Sequence, residues 1–542
     1  MSSPIPDPIE AGLARGWKVI DGAAQARDLA LSADVVIVGS GAGGGVTAEI
    51  LALAGLSVIL VEEGALKSSR DFKMREAEAY PALYQESAAR KTLDKGVNIL
   101  QGRTVGGSTT INWTSSFRTP PETLAFWREH YALEGYTPDA LAPWFARMEA
   151  RLHIEDWPTP PNENNEALRR GAARLGIPTG LIRRNVKGCW NLGYCGMGCP
   201  TNAKQSMLVS TIPAALDHGA TLLTRARAER FVIHGERVEA LECTLLGANG
   251  TTANGRRARL QARHWVLAGG AINSPALLLR SNAPDPSGLL GKRSFLHPTL
   301  VSAAIFPQRV DGYAGAPQSV YSDHFLHTQA IDGPLGYKLE APPLHPVLLA
   351  TTMAGFGSAH AEMMRQFPRL GGMLALLRDG FHQDARGGSV RLNGDGSPVL
   401  DYPLNDPIWD GARRALLSMA EIQFAAGARG VQVAHESAPR YATWPEAKQG
   451  IGALPYRLHA VRVASAHVMG GCMMSGDAKG VTDPDGRYHG LLNLSVHDGS
   501  LFPTSIGANP QLSIYGIVAR LASNLAVALG GQTTQAPMAA EV

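Results

Sequence analysis

Residues 33–47, Ala-Asp-Val-Val-Ile-Val-Gly-Ser-Gly-Ala-Gly-Gly-Gly-Val-Thr, constrain the fold more than any other stretch, because they read as strand, glycine turn and helix in succession. Residues 34–38 are nearly all apolar, the composition of a strand buried on both faces of a parallel sheet. Gly39, Gly41 and Gly44 keep the G-x-G-x-x-G spacing. The first permits a tight turn, the second lets backbone approach a pyrophosphate, and the third lets the helix pack on the strand. The predicted helix, 46–54, aims its unpaired N–H groups and positive dipole end at that pyrophosphate. A second apolar strand, 57–61, ends in Glu62, about 20 residues on, where a carboxylate can bind a ribose 2′-hydroxyl. Together these features form a dinucleotide-binding fingerprint.

At 542 residues the chain exceeds one ordinary domain. A hydrophobic content of 45% against 18% charged residues fits a packed core and not a disordered chain. The formal net charge is +3 and no tract is dense in Lys and Arg, which speaks against a nucleic-acid partner. No apolar run reaches the roughly 18 residues of a membrane span. Residues 1–8 lack the basic and apolar regions of a secretory signal. A cytoplasmic protein is expected, with peripheral membrane contact left open. Of five cysteines, Cys189, Cys195 and Cys199 crowd one loop while Cys243 and Cys472 stand alone, which is no disulfide framework.

Along the chain, residues 1–32 read as a lead-in with a short helix. Residues 67–98 are polar and predicted helical, and a small-residue loop follows at 101–113 (Gln-Gly-Arg-Thr-Val-Gly-Gly-Ser-Thr-Thr-Ile-Asn-Trp). Helices with proline breaks are expected over 120–184, a helix over 203–218, and a strand over 221–223. Strands over 227–233 and 237–246 flank Gly235 as a hairpin. A further strand over 258–268 leads to a helix starting near Asn273, with Pro275 in its first turn. Residues 297–460 change character and read as a largely antiparallel second domain, including a strand over 388–392 and a helix over 410–426. The segment 493–529 returns to strand, glycine turn and helix. The last ten or so residues are of low complexity.

The fingerprint alone suits a nicotinamide or a flavin. The later segments 102–112, 269–275, 497–503 and 507–510 are all loops favouring close backbone contact. With them the chain resembles the glucose–methanol–choline (GMC) family of FAD-dependent oxidoreductases, in the expected order and over nearly its whole length. The resemblance implies an α/β fold: a Rossmann-type FAD-binding domain with a parallel sheet, and an α+β substrate domain built on an antiparallel sheet. The FAD domain would comprise 33–120, 201–296 and 461–535, and the substrate domain and cap 121–200 and 297–460.

By the same resemblance Gly39, Gly41, Gly44 and Glu62 hold the ADP half of FAD. Arg103, Gly106, Gly107, Ser108 and Asn112 follow the ribityl chain and flavin edge, and Ala228 sits by the adenine through its backbone. Asp498 and Gly499 bind the ribityl–pyrophosphate region. Asn509 and Pro510 lie at a helix start whose dipole stabilises the reduced flavin. Some members tether the flavin to a histidine in the glycine loop; Thr109 and Thr110 stand here, so non-covalent FAD is expected. The segment 465–471, Ser-Ala-His-Val-Met-Gly-Gly, is similar to the one that carries the family's catalytic histidine. An alcohol must lose its hydroxyl proton as hydride leaves for flavin N5, and a neutral imidazole titrates in the right range. His467 is thereby assigned as base and Asn509 as its partner on the alcohol oxygen, with His297 and His497 structural.

The loop 188–200 spaces its cysteines C-x5-C-x3-C before a proline. Cys189, Cys195 and Cys199 resemble the iron–sulfur loop of certain bacterial FAD-dependent sugar dehydrogenases, where three thiolates would suit a [3Fe–4S] relay. Long-chain alcohol oxidases of the family also carry a Cys- and Gly-rich loop here, followed by Ala-Lys-x-Ser as at 203–206, with no cluster implied. That second likeness extends further, to the Asp-Pro-Ile lead-in and the Gly-Trp-Lys near the N-terminus. Met353, Met363, Met364, Met373, Phe356, Phe367, Leu370 and Leu374 form an apolar zone suited to a lipophilic substrate or to an ordinary core. The expected activity is oxidation of a primary or secondary, lipophilic alcohol to aldehyde or ketone, with dioxygen, a quinone or a cytochrome as electron acceptor. The alternatives are a sugar or polyol dehydrogenase with an iron–sulfur relay, and a hydroxynitrile lyase on the same fold.

Overall fold

In a computed structural model describing residues 5–532, the apolar run after Ala33 becomes the centre of a parallel sheet. The first four residues, the low-complexity tail and the end of the segment 461–535 lie outside the described residues. Strand Leu29–Val38 pairs in parallel with Val58–Val61 on one side (Val36 opposite Ile59) and Ala253–Leu267 on the other (Val36 opposite Trp265). Val35, Val36 and Ile37 are wholly buried, as a strand covered on both faces requires. The strand starts before residue 34 because 29–32 also find partners along Ala253–Leu267. Beyond Val58–Val61 lie Thr221–Thr224 and Lys18–Asp21, both parallel; beyond Ala253–Leu267 lie Arg237–Leu246 and Ala226–His234, antiparallel. Leu494–Val496 adds to the C-terminal end of Ala253–Leu267.

Helix Ala42–Leu53 follows the glycine turn, and helix Gln511–Ala528 packs against both it and Pro138–Arg151. Helices Pro121–Tyr131 and Pro138–Arg151, grouped with the second domain on sequence, contribute Leu124, Trp127, Phe145 and Met148 to this first core.

The second half is built on an antiparallel sheet in which Thr299–Ile305 pairs with Leu370–Leu377, and this with Tyr337–Glu340. Two-residue periodicity divides its faces: Met373, Ala375 and Leu377 enter a second core covered by helix Asp406–Ala425, while Leu374 and Leu376 face the cavity described below. Short strands Val97–Ile99 and Val463–Ser465 extend this sheet, so segments from the first half return to its edge. Among the described residues no helix is long and apolar enough to cross a membrane.

Three predicted helices are corrected. Over 67–98 the only α-helix is Glu76–Leu83; the segment lacks an apolar stripe, and Glu86, Ser87 and Ala88 adopt positive φ. Over 203–218 the helix is confined to Thr211–Asp217, because the buried Lys204 is drawn to backbone carbonyls of neighbouring loops. The helix expected near Asn273 begins at Gly270, so Pro275 falls in its second turn.

Candidate active site

The glycine turn separates into packing and ligand roles. Gly39 has φ of 101°, and a Cβ there would lie 2.4 Å from the Ala268 carbonyl oxygen. At Gly44 a Cβ would lie 1.9 Å from the Gly39 oxygen, the close helix–strand approach the spacing predicted. Gly41 differs: an added Cβ would meet nothing nearer than Gly107 Cα at 4.0 Å, and the residue borders a large cavity. Gly43 was not singled out on sequence, yet a Cβ there would sit 1.6 Å from the His497 oxygen. His497, expected to be structural, meets the Thr47 hydroxyl through its Nδ1 at 2.9 Å.

The cavity, about 800 Å³, runs from this turn into the antiparallel half. Gly39, Gly41, Glu62, Arg103, Gly107, Ser108, Asn112, Ala228, Asp498, Gly499, Asn509, Pro510 and His467 all border it, whereas Gly44 and Gly106 pack behind its wall. Glu62 is buried, which raises its pKa, and its carboxylate accepts from the Ser40 N–H (3.2 Å), the Ser40 hydroxyl and the Gly64 N–H (2.8 Å). Asp498 accepts from the Gly270 N–H (2.8 Å), the Ser274 hydroxyl (2.6 Å) and the Ser500 N–H (2.8 Å), tying the loop to the start of the helix after Gly269. Asn112 donates to Gln511 Oε1 at 2.7 Å, and Arg103 keeps a buried Nε without a protein partner.

At the other end stand His467 and Asn509. Strand Val463–Ser465 ends in a turn where the His467 N–H donates to Ser465 Oγ (3.2 Å). Burial lowers the His467 pKa to about 4, so its imidazole is neutral at pH 7. Asn509 precedes helix Gln511–Ala528; its Nδ2 donates to Glu340 Oε2 at 3.3 Å, and its buried Oδ1 has no protein partner. His297, expected to be structural, lies beside His467: its Nδ1 meets His467 Nδ1 at 3.0 Å, and its Nε2 accepts from the Gly507 N–H at 3.1 Å. The same cavity is lined by the apolar side chains Val301, Leu344, Leu348, Leu349, Leu374 and Leu376.

Two GMC oxidoreductase family models match the sequence, over residues 80–299 and 384–517. An uncharacterized GMC-type oxidoreductase, y4nJ of Sinorhizobium fredii, is 30% identical over 91% of this chain and 95% of its own. The chain belongs to the GMC oxidoreductase family. The long-chain-alcohol oxidase FAO4B of Arabidopsis thaliana is 27% identical over 92% of this chain and 68% of its own. Among solved structures, pyridoxine 4-oxidase from Mesorbium loti superposes with a TM-score of 0.66 at 19% identity, covering 91% of this chain and 98% of that one. Aspergillus oryzae formate oxidase gives 0.65 at 16% identity, covering 92% and 99%. These likenesses establish the GMC fold.

In this GMC protein the cysteine loop lies off the cavity. Among the described residues no group of three or more His, Cys, Asp or Glu side chains converges into a metal site. The [3Fe–4S] expectation for Cys189, Cys195 and Cys199 therefore finds no ligand set. Each thiol instead has a local partner: Cys189 accepts from the Asn191 N–H (3.4 Å), Cys195 from Arg184 Nη2 (3.7 Å) and Cys199 from the Lys204 N–H (3.5 Å). Lys204 knits the loop to the small-residue loop 101–113 by donating to the Thr110, Asn112 and Cys195 carbonyls at 2.6, 3.0 and 2.8 Å. The Met-rich zone also divides: Met353, Met363 and Leu370 form a small cluster behind the cavity wall, Met373 joins the second core, and Phe356 is 91% exposed. Sequence reasoning missed Glu340 and Lys338, buried charges two apart on strand Tyr337–Glu340. The signal was present, since charged residues alternate there within an otherwise buried strand.

Proposed function

We propose that this protein is an FAD-dependent oxidoreductase that converts a lipophilic primary or secondary alcohol to the aldehyde or ketone. The observation that carries the reading is one cavity bordered by the glycine cradle, by His467 and Asn509, and by a set of leucines. The open space over Gly41, at the start of helix Ala42–Leu53, fits a large anionic dinucleotide. Gly39, Gly41, Glu62, Arg103, Gly107, Ser108, Asn112, Ala228, Asp498, Gly499 and Pro510 would hold FAD without a covalent bond. FAD supplies, when bound, the two-electron acceptor for the hydride leaving the carbinol carbon. Thr109 and Thr110 spend their hydroxyls on the Gly106 and Val105 carbonyls and offer no tether.

The chain's own residues bind and orient the hydroxyl and manage its proton. Asn509, fixed by Glu340, and His467, fixed by His297, address the alcohol oxygen from two sides. His467, neutral at pH 7, takes the hydroxyl proton. Leu344, Leu349, Leu374 and Leu376 bind the alkyl portion and exclude water. An apolar wall favours a lipophilic alcohol over a sugar, in keeping with the relatives named long-chain-alcohol oxidases. Their oxidase names favour dioxygen over a quinone or cytochrome as the final acceptor. The test is an anaerobic visible scan of purified protein before and after alcohols and sugars. Flavin bands that bleach with long-chain alcohols support the reading; flavin that bleaches only with sugars, or with no alcohol, refutes it.

A further inference from the structure

Helix Pro346–Thr352 has the cavity on one side and solvent on another. Leu348, Leu349 and Thr352 border the cavity, while Val347 and Thr351 are exposed. The chain then turns through Gly355, Phe356 and Gly357 into helix Gly357–Arg365. Both glycines have positive φ, 121° and 63°, and Phe356 between them is 91% exposed. A ring held out in this way buries almost none of its apolar surface within the protein. The segment is also uncharged: from Ala341 to Ala361 there is no Asp, Glu, Lys or Arg, although most of 355–359 lies at the surface. A surface helix ordinarily places charged side chains on its solvent side.

Two further exposed apolar side chains stand on segments tied to the same helix. Glu76 accepts from the Val347 and Leu348 N–H groups at 2.7 and 2.8 Å, which brings the exposed Met74 to the start of the helix. The His345 ring packs against Tyr194 with centroids 5.0 Å apart, and the same loop carries Trp190, 62% exposed. Lys73 and Arg75 flank Met74; Lys73 forms no ion pair among the described residues, and Arg75 meets the exposed Glu78. One exposed apolar residue needs no explanation, but several on joined segments mark an interaction surface.

We propose that this face docks on a phospholipid bilayer: Met74, Trp190, Val347 and Phe356 enter the membrane interface, Lys73 and Arg75 meet lipid phosphates, and a lipophilic alcohol passes from the bilayer to the cavity beside helix Pro346–Thr352. The proposal rests on the reading of the substrate as a lipophilic alcohol. The segment 341–361 offers rings and aliphatic side chains but no charged group to set the register of a protein partner, which favours a fluid apolar phase. Aromatic side chains suit the headgroup level, and the flanking cations complement its phosphates. Continuity with a cavity lined by leucines gives the docked face a purpose, since an alcohol dissolved in lipid need not cross water to reach them.

The test is flotation of the FAD-loaded protein, without substrate, with vesicles of equal parts phosphatidylcholine and phosphatidylglycerol. The native protein should float with the vesicles, and Phe356→Ser should keep the native flavin spectrum while lowering the partition coefficient about ten-fold. Leu492→Ser, at an exposed leucine beside the hairpin at Gly235, should leave partitioning unchanged. Phe356→Trp should retain binding and add emission that lipids brominated in the acyl chains quench. Native protein that stays below the vesicles, equal losses in Phe356→Ser and Leu492→Ser, or added emission that is not quenched overturns the proposal. So does lipid-free self-association that Phe356→Ser abolishes, which would assign the face to a second copy of the chain. Should Phe356→Ser not hold FAD, native flotation and the Phe356→Trp quenching decide. Alcohol-dependent bleaching is scored separately: a flavin that no alcohol reduces refutes the proposed function, while docking is decided by the vesicles alone.

Discussion

The two ends of the cavity are made in opposite ways. The nucleotide end comes from one short run, where Gly39, Gly41, Gly43 and Gly44 let backbone approach backbone or open space. The part of the cavity around His467 comes from His297, Glu340, Leu376, His467 and Asn509, which are scattered over five separate segments and meet through side chains. A ligand held by backbone leaves a local pattern of small residues. A hydroxyl held by side chains leaves only single polar residues whose partners lie elsewhere.

The sharpest way to break this comparison is a pair of glycine variants. Gly41→Val should abolish FAD retention while leaving the melting temperature of the flavin-free protein unchanged, since the new side chain fills only ligand space. Gly43→Val should lower that melting temperature, because its Cβ collides with the His497 carbonyl; overpacking of this kind costs about 1–3 kcal/mol or more. Equal effects on both would dissolve the distinction between cradle and packing. Next in size, His467→Gln should retain the flavin spectrum but slow anaerobic reduction by alcohol by about 10²–10⁴-fold, the usual worth of a positioned acid–base group. Unchanged single-turnover rates would remove His467 from the chemistry.

A smaller effect sharpens the substrate end. If Leu374 and Leu376 line the alkyl path, kcat/KM should rise about four-fold per added methylene, the equivalent of about 0.8 kcal/mol each. Leu376→Asn should flatten that dependence, and a flat native profile would argue for a compact substrate. The smallest effect is on stability. Burial lowers His264 and His467 to about 4 and His497 to about 3, below the value of an unfolded histidine. The unfolded chain therefore binds more protons between those limits. Stability should be full above about pH 6.5 and decline as pH falls toward 4, read as melting temperature against pH. A melting temperature constant over that window would mean that these rings are not held neutral.

Legibility followed the same division. The strand Leu29–Val38, the turn and helix Ala42–Leu53 were expected to within a few residues because hydrophobic period and glycine spacing are local. Asp406–Ala425 and Gly388–Leu392 were likewise expected, the strand to the residue. The predicted helices over 67–98 and 203–218 shrank to Glu76–Leu83 and Thr211–Asp217, since the conformation of the rest is imposed by distant partners such as Lys204 on the Thr110 carbonyl. The cysteine cluster was dense in sequence, but its thiols turn to separate local donors.

The sequence by itself determined the strand, glycine turn and helix of the first unit and a two-sheet architecture, because spacing and order along the chain suffice for these, and it named His467 and Asn509, which the structure brings to one cavity. Only the tertiary structure decided that His297 stands behind His467, that Glu340 claims the Asn509 amide, and that Cys189, Cys195 and Cys199 lie off the cavity. Those are contacts between elements that pair across sheets, and burial turns each into a fixed hydrogen-bond direction that no local pattern records.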